Sequence, residues 1–221
     1  MNKTDYNKEF KCIIDRLDAY YRASDIKDAQ KKKLLLHACC APCSSICIER
    51  VRDHFDTTVY FFNPNITIED EYLYRLNELK RLIDIYNDMP GRGHINLING
   101  DYDPDVFFSI AKGYEDCPER GARCSLCYEL RLKATADTAI ANGYDYFATT
   151  LTLSPLKDVE RLNGIGYRLS KESDGRLLWL PSDFKKEDGY KKSIELSKEY
   201  NLYRQNYCGC VYSRRLEDMH E

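Results

Sequence analysis

The sequence predicts an α/β fold, a parallel sheet covered by helices on both faces, with a helical C-terminal region. Two observations predict it. Short apolar or β-branched runs at 33–39, 57–62, 94–98 and 144–149 are bounded by turn residues and read as strands. Between them lie longer segments whose apolar residues return every three or four positions, the period of a helix. Strands alternating with helices in this way form a parallel sheet buried on both faces. The 221 residues, 43% hydrophobic and 31% charged, suffice for one domain with a full core.

Taken in order, residues 7–30 place Phe10, Ile13, Ile14, Leu17 and Tyr21 at helical spacing. Residues 33–39 (KLLLHAC) form the first strand and end in cysteine. A helix at 44–55 is opened by Pro42 and Ser44 and carries Ile46, Ile48 and Val51. The second strand, 57–62 (TTVYFF), is stopped by Asn63-Pro64-Asn65. A long helix at 69–86 precedes the third strand, 94–98, which Asn99-Gly100 closes. A short helix near 104–112 and a charged loop at 113–123 lead to a helix at 125–141, terminated by Asn142-Gly143. The fourth strand, 144–149, is followed by helices at 157–168 and 185–199. One domain results, 1–221: a helical extension at 1–32, a core at 33–170, and a helical region at 171–221 that holds Cys208-Gly209-Cys210.

In open parallel sheets, sites form at the carboxyl ends of the strands. Three features fall on that rim: the loop Cys39–Cys43, the turn Asn63-Pro64-Asn65, and the threonines Thr149, Thr150 and Thr152. Function is expected there.

The bulk properties exclude several classes. No apolar run is long enough to span a membrane, and the polar N-terminus has no apolar signal segment, so a cytoplasmic location is expected. In a reducing compartment ten cysteines serve metals or redox chemistry rather than disulfides. A net charge of −3 is not that of a general nucleic-acid binder. Yet Lys185, Lys186, Lys191, Lys192, Lys198, Arg204, Arg214 and Arg215 crowd the C-terminal part. Tyr190, Tyr200, Tyr203, Tyr207 and Tyr212 are interleaved with them, a mixture suited to phosphates and unstacked bases. A solvated helical face is the alternative reading.

Eight cysteines fall into three groups: Cys39, Cys40 and Cys43; Cys117 with Cys124 and Cys127; Cys208 and Cys210. Eight thiols exceed the needs of one iron–sulfur cluster or one zinc, so a cluster with a second metal or a redox pair is expected. The neighbours Cys39 and Cys40 are expected to diverge, each serving a different centre, or one serving as ligand and the other as reactive thiol. Cys43, near a helix start, is expected to be held as thiolate by the helix dipole. Gly209 permits a tight backbone between Cys208 and Cys210. Cys12 and Cys47 read as small hydrophobes. The first loop has no glycine and Pro42 removes an amide donor, which speaks against phosphate binding there.

The stretches HACCAPCS, FFNPNI, RCSLCYELRL, TTLTLSPLKD and CGCVYS, in this order, resemble the QueH family of epoxyqueuosine reductases from about Lys33 to the tail. The resemblance implies a Rossmann-like fold related to the nucleotide hydrolases, with the ATP loop replaced by cysteines. It implies reduction of an epoxide to an alkene, with loss of water, on a modified base of the tRNA anticodon. It further implies a 4Fe–4S cluster, a nearby second mononuclear metal (iron), no cobalamin, and an external electron donor. Cys39, Cys40, Cys43, Cys124, Cys127, Cys208 and Cys210 are the expected ligands, with Cys117 as a further candidate. Cys39 and Cys43 are also candidates for a direct catalytic role.

Candidate proton donors are His37, two residues before Cys39, and Tyr128, next to Cys127; a core histidine and a packed tyrosine are the alternatives. Asp116 and Glu119 offer carboxylates beside Cys117. Asn63, Asn65, Thr149, Thr150, Thr152 and Lys157 either contact nucleotide or serve turns and caps. Two other functions compete: a zinc-stabilised RNA-binding module, and a thiol-based redox protein.

Overall fold

The structure, a computed structural model, describes residues 4–24 and 30–213. Five parallel strands form one sheet: β1 (Lys33–His37), β2 (Asp56–Phe61), β3 (Ile95–Asn99), β4 (Tyr146–Thr149) and β5 (Leu178–Trp179). Their order is β3-β2-β1-β4-β5, the strand order of Rossmann-type sheets, which reverses direction between β1 and β4. The helices are α1 (Tyr6–Ser24), α2 (Ala41–Val51), α3 (Glu69–Asn87), α4 (Pro104–Ala111), α5 (Ala122–Ala141), α6 (Val159–Glu172) and α7 (Gly189–Glu199). No helix among the described residues is long and apolar enough to cross a membrane.

The two faces of the sheet carry separate cores. Leu34 and Leu36 of β1 join Val59, Phe61 and Ala148 in a core with α1, α2 and α3. Leu35, between them, points the other way and joins Tyr60 and Phe147 in a core with α5 and α6. Period-two alternation inside a uniformly apolar run is what a doubly covered strand requires. Each of these leucines is 0% exposed, and burial of such a side chain contributes about 1.5–3 kcal/mol. On the first face Phe10 of α1 meets Phe184 edge-on at 5.5 Å, fastening the N-terminal helix to the segment before α7.

β5 lies in the region expected to be helical. It has two residues, too few for a periodic signal, and Trp179 fixes it. The indole packs edge-on to Phe147 at 4.9 Å and donates Nε1–H to Asn163 Oδ1 at 3.0 Å. A Cβ on Gly166 of α6 would lie 2.2 Å from that indole, so α6 and β5 close on each other only with glycine there.

Two helices start earlier than their spacing predicts. α2 begins at Ala41, so Pro42 and Cys43 sit in its first turn, with Cys40 extended at the N-cap. α5 begins at Ala122, so Cys124 and Cys127 occupy its first and second turns on one face.

Candidate metal centre

The loop after β1 stands at the reversal point of the strand order, beside the end of β4. The Cys39 amide donates to Thr150 Oγ1 at 3.3 Å, tying the two strand ends together. The backbone bends at Cys39, and this overturns the expected divergence of the vicinal pair. Cys39 and Cys40 Sγ lie 3.7 Å apart, and the sulfur atoms of Cys39, Cys40 and Cys43 all lie within 4.8 Å of one another, within reach of one metal ion. Cys39 and Cys43 line an open cavity of about 180 Å³, while Cys40, 1% exposed, lies behind them.

The charge of this triad also differs from expectation. Hydrogen bonds from Cys40 and Cys43, opposed by burial and aided by Arg131 and Thr150, hold Cys39 well below the ordinary thiol value. The same hydrogen bonds push Cys40 up to about 12 and Cys43 well above its ordinary value. Contact with two neighbouring sulfurs thus favours charge on Cys39 and disfavours it on Cys43, in spite of the helix N-terminus there.

A second set forms around a smaller cavity, lined by Cys124 and Cys127 of α5 together with Cys208 and Cys210 of the tail. Here the Cys210 hydrogen bond, opposed by burial and helped by Lys157, holds Cys208 well below the usual thiol value. Cys210 is raised in return, and burial raises Cys127. In each set one thiol is lowered at the expense of its neighbour.

The tail reaches this place because the β2–α3 turn holds it. Asn65 Nδ2 donates to the Cys208 carbonyl at 3.0 Å, the Thr67 amide to the Gly209 carbonyl at 3.3 Å, and Arg75 to the Tyr207 carbonyl at 3.3 Å. Gly209 has φ +95°, and a Cβ there would fall 2.7 Å from Ile66 Cγ1. Asn63 Nδ2 donates to the Ala38 carbonyl at 2.9 Å, and its Oδ1 accepts from Arg131. Both asparagines are structural ties. Arg75 lies in no motif, and Arg123 stands in the sequence only as the first residue of RCSLCYELRL, yet both position the site. Arg123 donates to the carbonyls of Tyr114, Glu115 and Cys117 and sits 4.8 Å over the Tyr212 ring.

The two cavities share a wall that includes Arg131, Lys157 and Cys208. Arg131 is 3% exposed and bonds to Cys127, one turn earlier on α5, as well as to Asn63. Lys157 lies 3.2 Å from Glu119. Burial opposes its charge, but Cys208, Tyr128, Glu119 and Cys124 outweigh burial and hold it protonated.

His37 is fully buried and lines neither cavity. Its Nε2 faces Arg131 Nε at 3.3 Å and its Nδ1 faces Thr149 Oγ1 at 2.8 Å. Nε2 also lies 3.2 Å from the Phe62 carbonyl oxygen, so this ring nitrogen stands between a donor and an acceptor. Burial and then Arg131 lower the ring to about 3, so it stays neutral. Tyr128 does line the smaller cavity; its hydroxyl is buried without a partner, and burial raises it to about 12. Cys117 lines neither cavity, and Asp116 is exposed outside both. Thr150 donates to Cys39 Sγ at 3.6 Å, whereas Thr149 caps the turn Thr150–Leu153 and Thr152 bonds to Ser182. Of the basic C-terminal residues, Arg204 lines the larger cavity, Lys191 and Lys192 point to solvent, and Arg214 and Arg215 lie outside the described residues.

These sets fit a sulfur-ligated metal. The donors are soft, buried and drawn from distant segments, and cations stand where thiolate charge must be balanced. Three further polar atoms of residues around the smaller cavity, Asn65 Oδ1, Arg123 Nε and the Tyr128 hydroxyl, are buried without partners among the described residues. Folding alone leaves few such orphans.

Comparison with known proteins identifies the family. The family profile described as epoxyqueuosine reductase QueH matches residues 34–216. A protein of that name from Staphylococcus epidermidis is 38% identical over 213 residues, covering 96% of this chain and 85% of the relative. Its namesakes from Histophilus somni and Thermotoga maritima are 41% and 32% identical, covering 83% and 81% of this chain and 72% and 89% of theirs. On this agreement over most of its length, the chain belongs to the QueH family of epoxyqueuosine reductases.

Proposed function

We propose that this protein reduces the epoxide of epoxyqueuosine in a tRNA anticodon to the alkene of queuosine, in the cytoplasm, as the last step of queuosine formation. The observation that carries the reading is the meeting of seven cysteines from three chain segments around two adjoining cavities at the carboxyl end of the sheet. Cys39, Cys40, Cys43, Cys124, Cys127, Cys208 and Cys210 are the residues to hold a 4Fe–4S cluster and a second metal, iron. Seven thiols in two sets exceed one four-coordinate centre. When bound, such groups supply single electrons and a Lewis acid for the epoxide oxygen.

The reaction takes up two electrons and two protons and releases water. The electrons come from an external donor. The protein's own part begins with Cys39 and Cys43, which face the open cavity where the modified ring enters. Arg131 and Lys157 hold positive charge in the wall between the sulfur sets and favour their thiolates. The two protons come from Lys157, protonated in the wall that both cavities share, and from Tyr128, which holds one at its hydroxyl on the wall of the smaller cavity. His37 acts by positioning: it orients Arg131 and links it to Thr149 at the end of β4. Closure of the tail over α5 keeps bulk water from the sulfur.

The test is anaerobic purification, spectroscopy and turnover on tRNA carrying epoxyqueuosine. A brown protein that forms queuosine is expected. A colourless preparation containing zinc alone, inactive yet binding RNA, points instead to a zinc-stabilised binding module.

A further inference from the structure

The larger cavity, about 180 Å³, admits a ring-sized group and leaves a polynucleotide outside. The phosphates and bases flanking the reacting nucleotide must therefore be held at its mouth. Four cations line it: Arg75, Arg131, Lys157 and Arg204. Arg131 is buried at depth, while Arg75 and Lys157 are paired with Glu71 and Glu119. Arg204 is exposed and forms no ion pair among the described residues. Its Nη1 donates to Ser193 O at 3.3 Å and Ser197 Oγ at 3.0 Å, which fixes the fork over the Tyr190 ring at 5.9 Å. Tyr190 is 38% exposed and lines the same mouth. The adjacent Gln205 also lines the cavity, and its Oε1 is buried without a partner, an acceptor with nothing in the protein to satisfy it.

We infer that Arg204 and Tyr190 form a nucleotide clamp at the mouth. Arg204 takes a backbone phosphate beside the reacting nucleotide, and Tyr190 with the guanidinium offers a stacking platform to a neighbouring base. A planar fork held over an aromatic ring suits a phosphate, because it presents several donors without further ordering. Base stacking on such a platform is tolerant of sequence. Gln205 Oε1 accepts a hydrogen bond from a polar group of the inserted nucleotide. This inference rests on the proposed function and specifies why the substrate is a polynucleotide rather than a free nucleoside.

The test measures steady-state kinetics and equilibrium binding of epoxyqueuosine-containing tRNA over a range of salt concentrations, with iron content as a control of folding. Arg204→Ala is expected to raise KM about tenfold, far more than it lowers kcat. It should also reduce the slope of log K against log salt by about 0.7. Arg204→Lys should keep the slope and recover part of the affinity. Tyr190→Ala, which leaves the Ser193 and Ser197 contacts intact, should raise KM several-fold with the slope retained. Wild-type KM and salt slope in Arg204→Ala would overturn the clamp while leaving the activity standing. A wild-type protein that never converts the epoxide would overturn the activity itself, with the salt slope of binding still to be read.

Discussion

Arg131 and His37 meet at 3.3 Å in the interior, guanidinium to ring nitrogen, and Arg131 in turn joins Asn63 to the sulfur of Cys127. A buried guanidinium is costly unless its neighbours carry negative charge. Its neighbours here are Asn63, His37 and the sulfur of Cys127, with the Cys39 thiolate close enough to be lowered by it.

Arg131→Met is expected to leave Asn63 Oδ1 without its donor and to cost about 1–3 kcal/mol, with a larger loss in metal retention than in stability. Thermal unfolding and iron analysis on the same preparation separate the two. Iron content equal to wild type would show that the cation serves the fold alone.

Cys124→Ala and Cys47→Ala form a matched pair. Cys124 lines the smaller cavity, whereas Cys47 is 0% exposed in the core beneath α2. The first should lose iron and activity. The second should lose about 1 kcal/mol of stability and retain both. Equal iron in the two variants would contradict the assignment.

Tyr128→Phe removes a buried hydroxyl that has no partner among the described residues. Stability should hold or rise by about 1 kcal/mol, since an unsatisfied group is removed. Single-turnover rates should fall by about a hundredfold if the hydroxyl donates a proton. A wild-type rate assigns Tyr128 to packing.

Gly209→Ala tests the register of the tail. With φ +95° and Ile66 Cγ1 at 2.7 Å from the added carbon, the change costs about 1–3 kcal/mol locally. Displacement of Cys208 and Cys210 should lower iron content, while far-ultraviolet circular dichroism of the sheet stays as in wild type. Full iron content would show that the tail accommodates a side chain.

Much of this was legible in the residues, and the exceptions have physical causes. β1 to β4 announce themselves as short apolar runs with turn signals, and the rim they share follows from parallel topology. β5 escaped because two residues carry no period; only Trp179 hints at it. The starts of α2 and α5 lie three residues earlier than expected because neither Cys40 nor Gly121 supplies a side-chain cap, and at α2 only Pro42 marks the first turn. Seven of the eight grouped thiols converge as their clustering suggests, and Cys117 stays apart because Arg123 holds its carbonyl in the loop. The bend at Cys39 that turns two vicinal thiols together has no signature, nor do the long-range ties from Asn65 and Arg75 to the tail. Arg131 was visible only as the residue four places after Cys127. Its role depends on Asn63 and His37, which the chain brings from far away.

Anaerobic determination of iron and acid-labile sulfide per chain, on protein that is then given epoxyqueuosine-containing tRNA and a low-potential reductant, decides whether the sulfur sets carry the reaction. Iron and sulfide in the equal ratio of a 4Fe–4S cluster with additional iron beyond it, and conversion of the epoxide to queuosine, are expected. Protein that converts the epoxide without iron, or that carries the full metal complement and leaves the epoxide untouched, would contradict that role.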